Sequence, residues 1–147
     1  MKWSELSGKD KIKLILEHVY GYYFVDDERY VSRHRGKLPK DFHWPIAWWD
    51  ETLEYWSTRD ISSNWNTAFD PLHDMNDTWQ ILEATHADGK FDGFSLTGIY
   101  MPNNEMTYIC RLNIYGKITE AAADTPQDAI CVAVLRVHGV EVDLAKG

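Results

Sequence analysis

The chain has 147 residues, a hydrophobic fraction of 44% and a net charge of −8 at neutral pH. Its length predicts one domain, residues 1–147, and the acidic balance disfavours binding to a nucleic-acid backbone, which requires clustered Lys and Arg. No apolar run approaches a membrane span and residues 1–9 are polar, so the sequence predicts a soluble, cytoplasmic protein without a signal peptide and without a membrane partner.

The first helix is predicted from a cap and an apolar stripe. Ser7 and Asp10 have the spacing of a capping pair, and Gly21 marks the end. Four apolar residues recur at helical spacing between them: Ile12, Ile15, Leu16 and Val19. We therefore expect a helix across this stretch and a short strand within residues 22–25.

The segment at about 26–70 is expected to be an insertion, because no single period runs through it. A basic run comes first, consisting of Arg33, His34, Arg35, Lys37 and Lys40. Five of the seven Trp then lie between Trp44 and Trp65. The aromatic spacing predicts a short helix over residues 48–56, and a loop is expected over residues 60–66. Linkers are poor in aromatic residues, so the segment elaborates the single domain.

A second helix and a three-strand meander are predicted next. Asp74 is placed to cap the helix, which ends before Gly89. Residues 93–101 and 106–115 alternate with the period of half-buried strands, and Gly116 begins a tight turn into a third strand at 118–123. Antiparallel strands flanked by helices predict an α+β fold with helices packed on the sheet.

The closing helix has the clearest signals in the chain. Thr125 is placed as its cap, Pro126 suits its first position, and Gly139 supplies a left-handed stop. A short final strand is expected within residues 140–144. Because the edge strands of a three-strand meander favour pairing across a two-fold axis, we also expect a homodimer.

Two stretches carry motifs that resemble a known family. They are Asp74-x4-Trp79-x-Ile81-Leu82-Glu83 and Ala123-Asp124-Thr125-Pro126-x-x-Ala129-Ile130-Cys131-x-Ala133-x-Leu135. With the first helix, they resemble the phage ABA sandwich domain family over residues 10–25 and 70–142. The resemblance implies an α-β-α sandwich, in which helices cover both faces of a sheet, and a phage or prophage origin. It implies no activity, and the long insertion departs from the family pattern.

The aromatic insertion supplies the candidate partner- or ligand-binding residues. They are Trp44, Trp48, Trp49, Tyr55, Trp56, Arg59 and Trp65. Trp rings fill pockets on partner proteins and stack on nucleobases, and Arg side chains meet phosphates. Three interpretations stay open: a satellite core, a surface for a protein partner or a second copy, and a pocket for a small ligand.

Other candidate sites carry weaker signals. His73 and Asp77 have a spacing that can hold a divalent metal, although acids at a helix start more often cap it, so no metal or cofactor is predicted. Cys110 and Cys131 lie in apolar periodic segments and are expected to be buried. The sequence contains no nucleophile elbow, no P-loop, no dinucleotide fingerprint and no zinc-deaminase motif, and therefore predicts no catalytic residues.

These observations predict a phage- or prophage-encoded accessory protein that is not an enzyme. We expect it to act by binding a host protein, as an inhibitor of a host process or of a defence system, with its acidic surface presented to a basic site. The alternative is a protein that sequesters a small nucleotide signal. A hydrolase with an unrecognised site is the second alternative.

Overall fold

The computed structural model describes residues 1–62 and 64–144. Ser63, within the predicted loop at 60–66, and residues 145–147 lie outside the described part. Within it the chain forms four α-helices and two β-sheets, which confirms the α+β class.

The three predicted helices and their caps are confirmed. The Ser7 hydroxyl accepts from the backbone N–H of Asp10, and the Thr125 hydroxyl accepts from that of Asp128, each at 3.1 Å. The Asp74 carboxylate accepts from the N–H of Asn76 at 2.9 Å. The helices are α1 (Gly8–His18), the short α2 (Tyr30–Arg33), α3 (Met75–Ala87) and α4 (Pro126–Val137). Among the described helices, none has both the length and the apolar character needed to cross a membrane.

The predicted meander is also confirmed. Its strands β5 (Gly93–Tyr100), β6 (Met106–Ile114) and β7 (Lys117–Ala123) pair antiparallel in the order β5-β6-β7. The β6–β7 hairpin turns through Tyr115 and Gly116, both with positive φ, at 51° and 80°. Such a turn matches the twist of the strands that it joins, which fixes the register opposite α4.

Helix α4 forms the centre of the core. It packs on β6 and β7 and is flanked by α1 and α3, and its residues 129–135 are completely buried. The meander turns Cys110, Leu112 and Ala121 toward it. Cys110 and Cys131 are both buried and free, as expected. A helix buried on every side needs apolar residues all round, and residues 129–135 have only those.

The opposite face of the meander is open. Ile99 and Ile118 are exposed there, and an ion pair joins Arg111 Nε to Glu120 Oε2 at 2.8 Å across it. Within the described residues the helices therefore cover one face of this sheet, whereas the family resemblance implies cover on both faces.

The insertion forms a second sheet, which we call the aromatic sheet. Its strands are β1 (Tyr23–Phe24), β2 (Ile46–Asp50), β3 (Tyr55–Arg59) and β4 (Trp65–Phe69), in the order β1-β2-β3-β4. The helix predicted over residues 48–56 is therefore wrong, and the loop predicted over 60–66 is wrong where β4 begins. Large side chains lie on both faces of β2, so the alternation that reveals a half-buried strand is lost.

The segments at Lys2 and Asp143 lie side by side. The final strand predicted at 140–144 is reduced to an isolated parallel bridge between Lys2 and Asp143. Arg136 holds the segment at Val142, since its Nη2 donates to the Val142 carbonyl at 2.7 Å. Its Nη1 donates to the Glu120 carbonyl, also at 2.7 Å, and so covers part of the outer edge of β7.

Candidate functional site

The two faces of the aromatic sheet divide the seven candidate residues. Residues that lie opposite each other in the register share a face, and successive residues alternate. Trp49 lies opposite Trp56, and this inner face belongs to the main hydrophobic core together with Ala47 and Phe69. Trp48 lies one residue away and therefore points outward.

Trp56 is a core residue. Its side chain is 4% exposed, and its indole N–H donates to the Lys9 carbonyl in α1 at 2.9 Å. The ring also packs edge-on against Trp49 and Phe24, with centroids 5.6 and 5.5 Å away. Trp56 joins the aromatic sheet to α1, and its ring has almost no exposed surface with which to contact a partner.

A cavity of about 170 Å³ lies beside this ring, between α1, β3 and residues 69–73. Its wall includes Lys9, Trp49, Tyr55, Trp56, Asp70 and His73. The Lys9 ammonium sits 5.2 Å from the centre of the Trp49 ring and 3.8 Å from a Glu51 carboxylate oxygen. The predicted residues Trp49 and Trp56 therefore share one small cavity, and Tyr55, which the register places on the outer face, borders it at the start of β3.

The outer face carries a row of side chains in contact, four aromatic rings and one guanidinium. We call this row the outer ladder: Phe42, Trp44, Arg59, Trp65 and Trp48. The Arg59 guanidinium lies 5.3 Å from the ring centres of both Trp44 and Trp65. Trp48 meets Trp65 edge-on at 5.3 Å, and Phe42 meets Trp44 edge-on at 5.6 Å. Cation–π and edge contacts of this kind hold each ring in a defined orientation.

Exposure differs sharply along the outer ladder. Trp48 is 5% exposed, Trp44 and Arg59 are half-buried, and Trp65 is 48% exposed. Ile61, in the turn that leads to β4, is exposed beside this strand. Trp65 is therefore the candidate ring with the most exposed area for a contact, and the buried Trp48 packs against it.

A basic segment lies next to the outer ladder, between the acidic residues 26–28 on one side and Asp41 on the other. Residues 29–40 contain five Lys and Arg and no acid. Taking these from the 15 cations of the chain leaves ten against 23 acids, a net charge of −13, on the rest. The basic segment is joined to the outer ladder by Tyr30, which stacks on Phe42 with centroids 6.3 Å apart. Arg33 pairs with Asp27 at 3.4 Å, and Arg35, Lys37 and Lys40 are exposed.

The acids around the start of α3 organise the backbone. Asp77 accepts from the N–H of Asp70 at 2.9 Å, Asp70 contacts His73 Nδ1 at 2.8 Å, and Asp74 caps the helix. Burial raises the pKa of Asp77, opposed by the bond from Asp70. The described residues contain no group of three side chains placed to hold a metal ion. Capping is thus the role that the geometry assigns to these acids.

Some contact residues were missed in the sequence. Phe42 stands next to the predicted group, and its aromatic neighbours at 43 and 44 were a usable signal. Lys9 lies far away in sequence and reaches the sheet only because α1 packs on β3. No local pattern reveals such a contact.

No family model, curated protein or solved structure matches this chain. The resemblance to the phage ABA sandwich domain family thus stays a prediction. The geometry of the aromatic sheet and the position of the basic segment are therefore the features of the molecule that bear on function.

Proposed function

We propose that this chain is a non-enzymatic binding protein that covers a surface of a protein partner with its outer ladder. The observation that carries the proposal is Trp65, a half-exposed ring held in place by Arg59 and Trp48. We further propose that it is a phage- or prophage-encoded accessory protein, and that its partner is a host protein of the cytoplasm whose role in a host process or defence it blocks.

The energetics of one fixed ring suit such a role. Half of a Trp side chain corresponds to roughly 100 Å². Burying that area contributes about 2.5 kcal/mol, the size of an interface hot spot. Because Arg59 and Trp48 already fix the orientation of Trp65, little further side-chain entropy is lost on binding.

The basic segment at residues 29–40 determines the charge that we expect on the partner surface. A partner that covers the outer ladder from Trp65 to Phe42 reaches the ring of Tyr30 and with it the segment that carries Arg35, Lys37 and Lys40, so an acidic surface is complementary. The overall charge of −8 had suggested the reverse, an acidic surface presented to a basic site. Because the cations are concentrated beside the outer ladder, we propose the acidic partner for this surface.

The geometry gives less support to a nucleotide-sequestering protein. Arg59 already lies against the rings of Trp44 and Trp65, and the inner cavity of about 170 Å³ is smaller than the roughly 300–1,000 Å³ of typical ligand pockets. A groove of about 390 Å³ beside Trp48 and Trp49 is large enough, but its lining includes five acidic residues, at 26–28, 50 and 51, and one Arg, which disfavours a phosphate. A thermal-shift series over a nucleotide panel separates the two proposals. Stabilisation that follows mass action would favour sequestering.

The described cysteines give no support to a hydrolase. Burial raises the pKa of the Cys110 thiol to about 12, and burial also raises the pKa of Cys131. Since the thiolate is the nucleophilic form, neither side chain is activated at neutral pH.

The test is a pull-down from a bacterial lysate with the tagged full chain and two Trp→Ala variants. Trp65→Ala removes the ring of the outer ladder. Trp79→Ala is the matched control, because Trp79 is 46% exposed but lies on α3 against the other sheet. We expect the partner to be retained by the wild type and by Trp79→Ala, lost by Trp65→Ala, and released by about 0.5 M salt, where charges are strongly screened.

A partner that Trp65→Ala retains at wild-type level would refute this proposal. Both variants must melt within a few degrees of the wild type, so that loss of the partner reports the contact and not the fold.

A further inference from the structure

The outer edge of β5 is unprotected. This strand runs for eight residues in unbroken register with β6, and in the described part of the chain no strand pairs with its other side. It contains no Lys, no Pro, no charge and no bulge. Those are the features by which natural proteins protect an edge strand from pairing.

The other described sheet edges are protected. On β7, Lys117 and Glu120 carry charge and Arg136 binds the Glu120 carbonyl. Strand β1 has only two residues, and β4 has a register shift against β3 and a positive φ of 58° at Ala68. Of the described sheet edges, β5 is therefore the one that another strand can pair with.

The backbone groups of this edge can be assigned. The Met101 N–H donates to the Glu105 carbonyl at 2.8 Å, which identifies that pair as hydrogen-bonded. Because such pairs alternate along an antiparallel ladder, Ser95, Thr97 and Ile99 bond to β6. The N–H and C=O groups that point away from β6 belong to Phe94, Leu96, Gly98 and Tyr100.

The charge distribution favours a second copy as the partner for this edge. Two chains of charge −8 repel each other over most of their surface. Residues 93–104 form the longest uncharged run of the sequence, twelve residues, and β5 lies within it. An antiparallel pairing of β5 with itself places no like charges opposite each other.

The apolar area beside the edge is sufficient for a dimer. A groove of about 370 Å³ lies between α3 and β5, and its wall includes Trp79 and Phe94. The exposed apolar side chains of this region are Trp79, Phe94, Ile99, Tyr100 and Met101. At roughly 150–250 Å² for each aromatic ring, the group exposes on the order of 500 Å² per chain. Two such surfaces and two strand edges reach the roughly 1,200 Å² at which stable interfaces begin.

We infer that two copies of this chain pair through β5 across a two-fold axis at Thr97, forming one antiparallel sheet of six strands. In this register Phe94 of one copy lies opposite Tyr100 of the other, and Leu96 lies opposite Gly98. Tyr100, which is 74% exposed in the single chain, becomes covered by Phe94 and Trp79 of the other copy. The inference is independent of the partner proposed for the outer ladder.

The test places charge on the two-fold axis. Thr97 is exposed on the open face of the meander, so Thr97→Lys leaves the core intact but brings two ammonium groups together. Ala122→Lys is the matched control, since Ala122 is exposed in the same row of the sheet but at the β7 edge. Native mass spectrometry and sedimentation over a concentration series should give twice 17.1 kDa for the wild type and the control. Thr97→Lys should give a monomer.

A charge swap tests the position of the axis. We expect Thr97→Glu to be monomeric alone and to form a mixed dimer with Thr97→Lys, because opposite charges then meet. A monomeric wild type, a dimeric Thr97→Lys or the absence of mixed dimers would overturn the inference. If Ala122→Lys is also monomeric, the contact is the open face and not the edge. Thr97→Lys should still capture the outer-ladder partner, and Trp65→Ala should still dimerise, so either proposal can fail alone. Because Trp79 lies beside β5, Thr97→Lys also serves as the second control for the pull-down with Trp79→Ala.

Discussion

The two sheets of this protein use their surfaces in opposite ways. The aromatic sheet has its inner face in the core, rings over its outer face, and edges that are short or irregular. The meander has regular pairing, one face against α4, one open face and one bare edge. Most of the aromatic surface of the insertion is thus buried inside the protein, and the meander leaves more exposed surface for assembly.

The comparison shows that aromatic density alone does not locate a binding surface. Trp56 and Trp65 lie in neighbouring strands of one sheet, yet 4% of the first and 48% of the second is exposed. Trp79, outside the insertion, is as exposed as Trp65. The direction in which each ring points, together with the side chains that cover it, separates a core residue from a contact residue.

The largest expected effect is that of Trp56→Ala, which asks whether the aromatic sheet belongs to the core. Removing this ring opens a cavity and leaves the Lys9 carbonyl without its indole donor. We expect the free energy of unfolding to fall by about 4–5 kcal/mol, measured by urea titration.

Trp65→Ala is the control for this experiment. It should cost only about 1 kcal/mol, because its ring is half-exposed and loses mainly the contacts with Arg59 and Trp48. Equal losses for the two variants would contradict the assignment of opposite faces.

A smaller effect is expected for Trp48→Ala, which asks whether the outer face is energetically separate from the helices. The ring is buried but belongs to the outer ladder, so we expect a loss of about 3 kcal/mol. Amide hydrogen exchange should accelerate in β1–β4 and stay slow in α4 and β6. If α4 and β6 lose protection equally, the two sheets form one cooperative unit.

The smallest effect concerns the seam between α3 and α4 under the meander. His138 Nε2 lies 3.1 Å from Thr85 Oγ1, whose hydroxyl proton is donated to the Ile81 carbonyl, so the imidazole donates to Thr85. Burial lowers the pKa of His138 from its ordinary value of 6.5; Lys90 and His18 lower it further, and Asp88 opposes them.

Because the folded protein binds this proton less well than the unfolded chain, the contribution of His138 is fully present above pH 6.5. It is lost as the pH falls through the lower pKa of the folded state. We expect His138→Gln to flatten the stability profile below pH 6.5, and a profile identical to that of the wild type would exclude this role.

The parts predicted correctly from the sequence are those in which local chemistry suffices. Ser7, Asp74 and Thr125 cap helices within a few residues of themselves, and the meander alternates because one face is covered. The aromatic sheet was missed because its strands carry large side chains on both faces. The seven candidate residues were selected as one aromatic segment, and their division between the two faces could not be predicted without the register.

By itself, the sequence determined the α+β class, the helix caps and the meander, since each depends on residue types at short spacing. Only the tertiary structure decided which Trp rings are buried, which sheet edge is bare, and that Lys9 reaches the Trp49 ring. These features depend on contacts between segments far apart in the chain. Side-chain packing, and not local propensity, fixes such contacts.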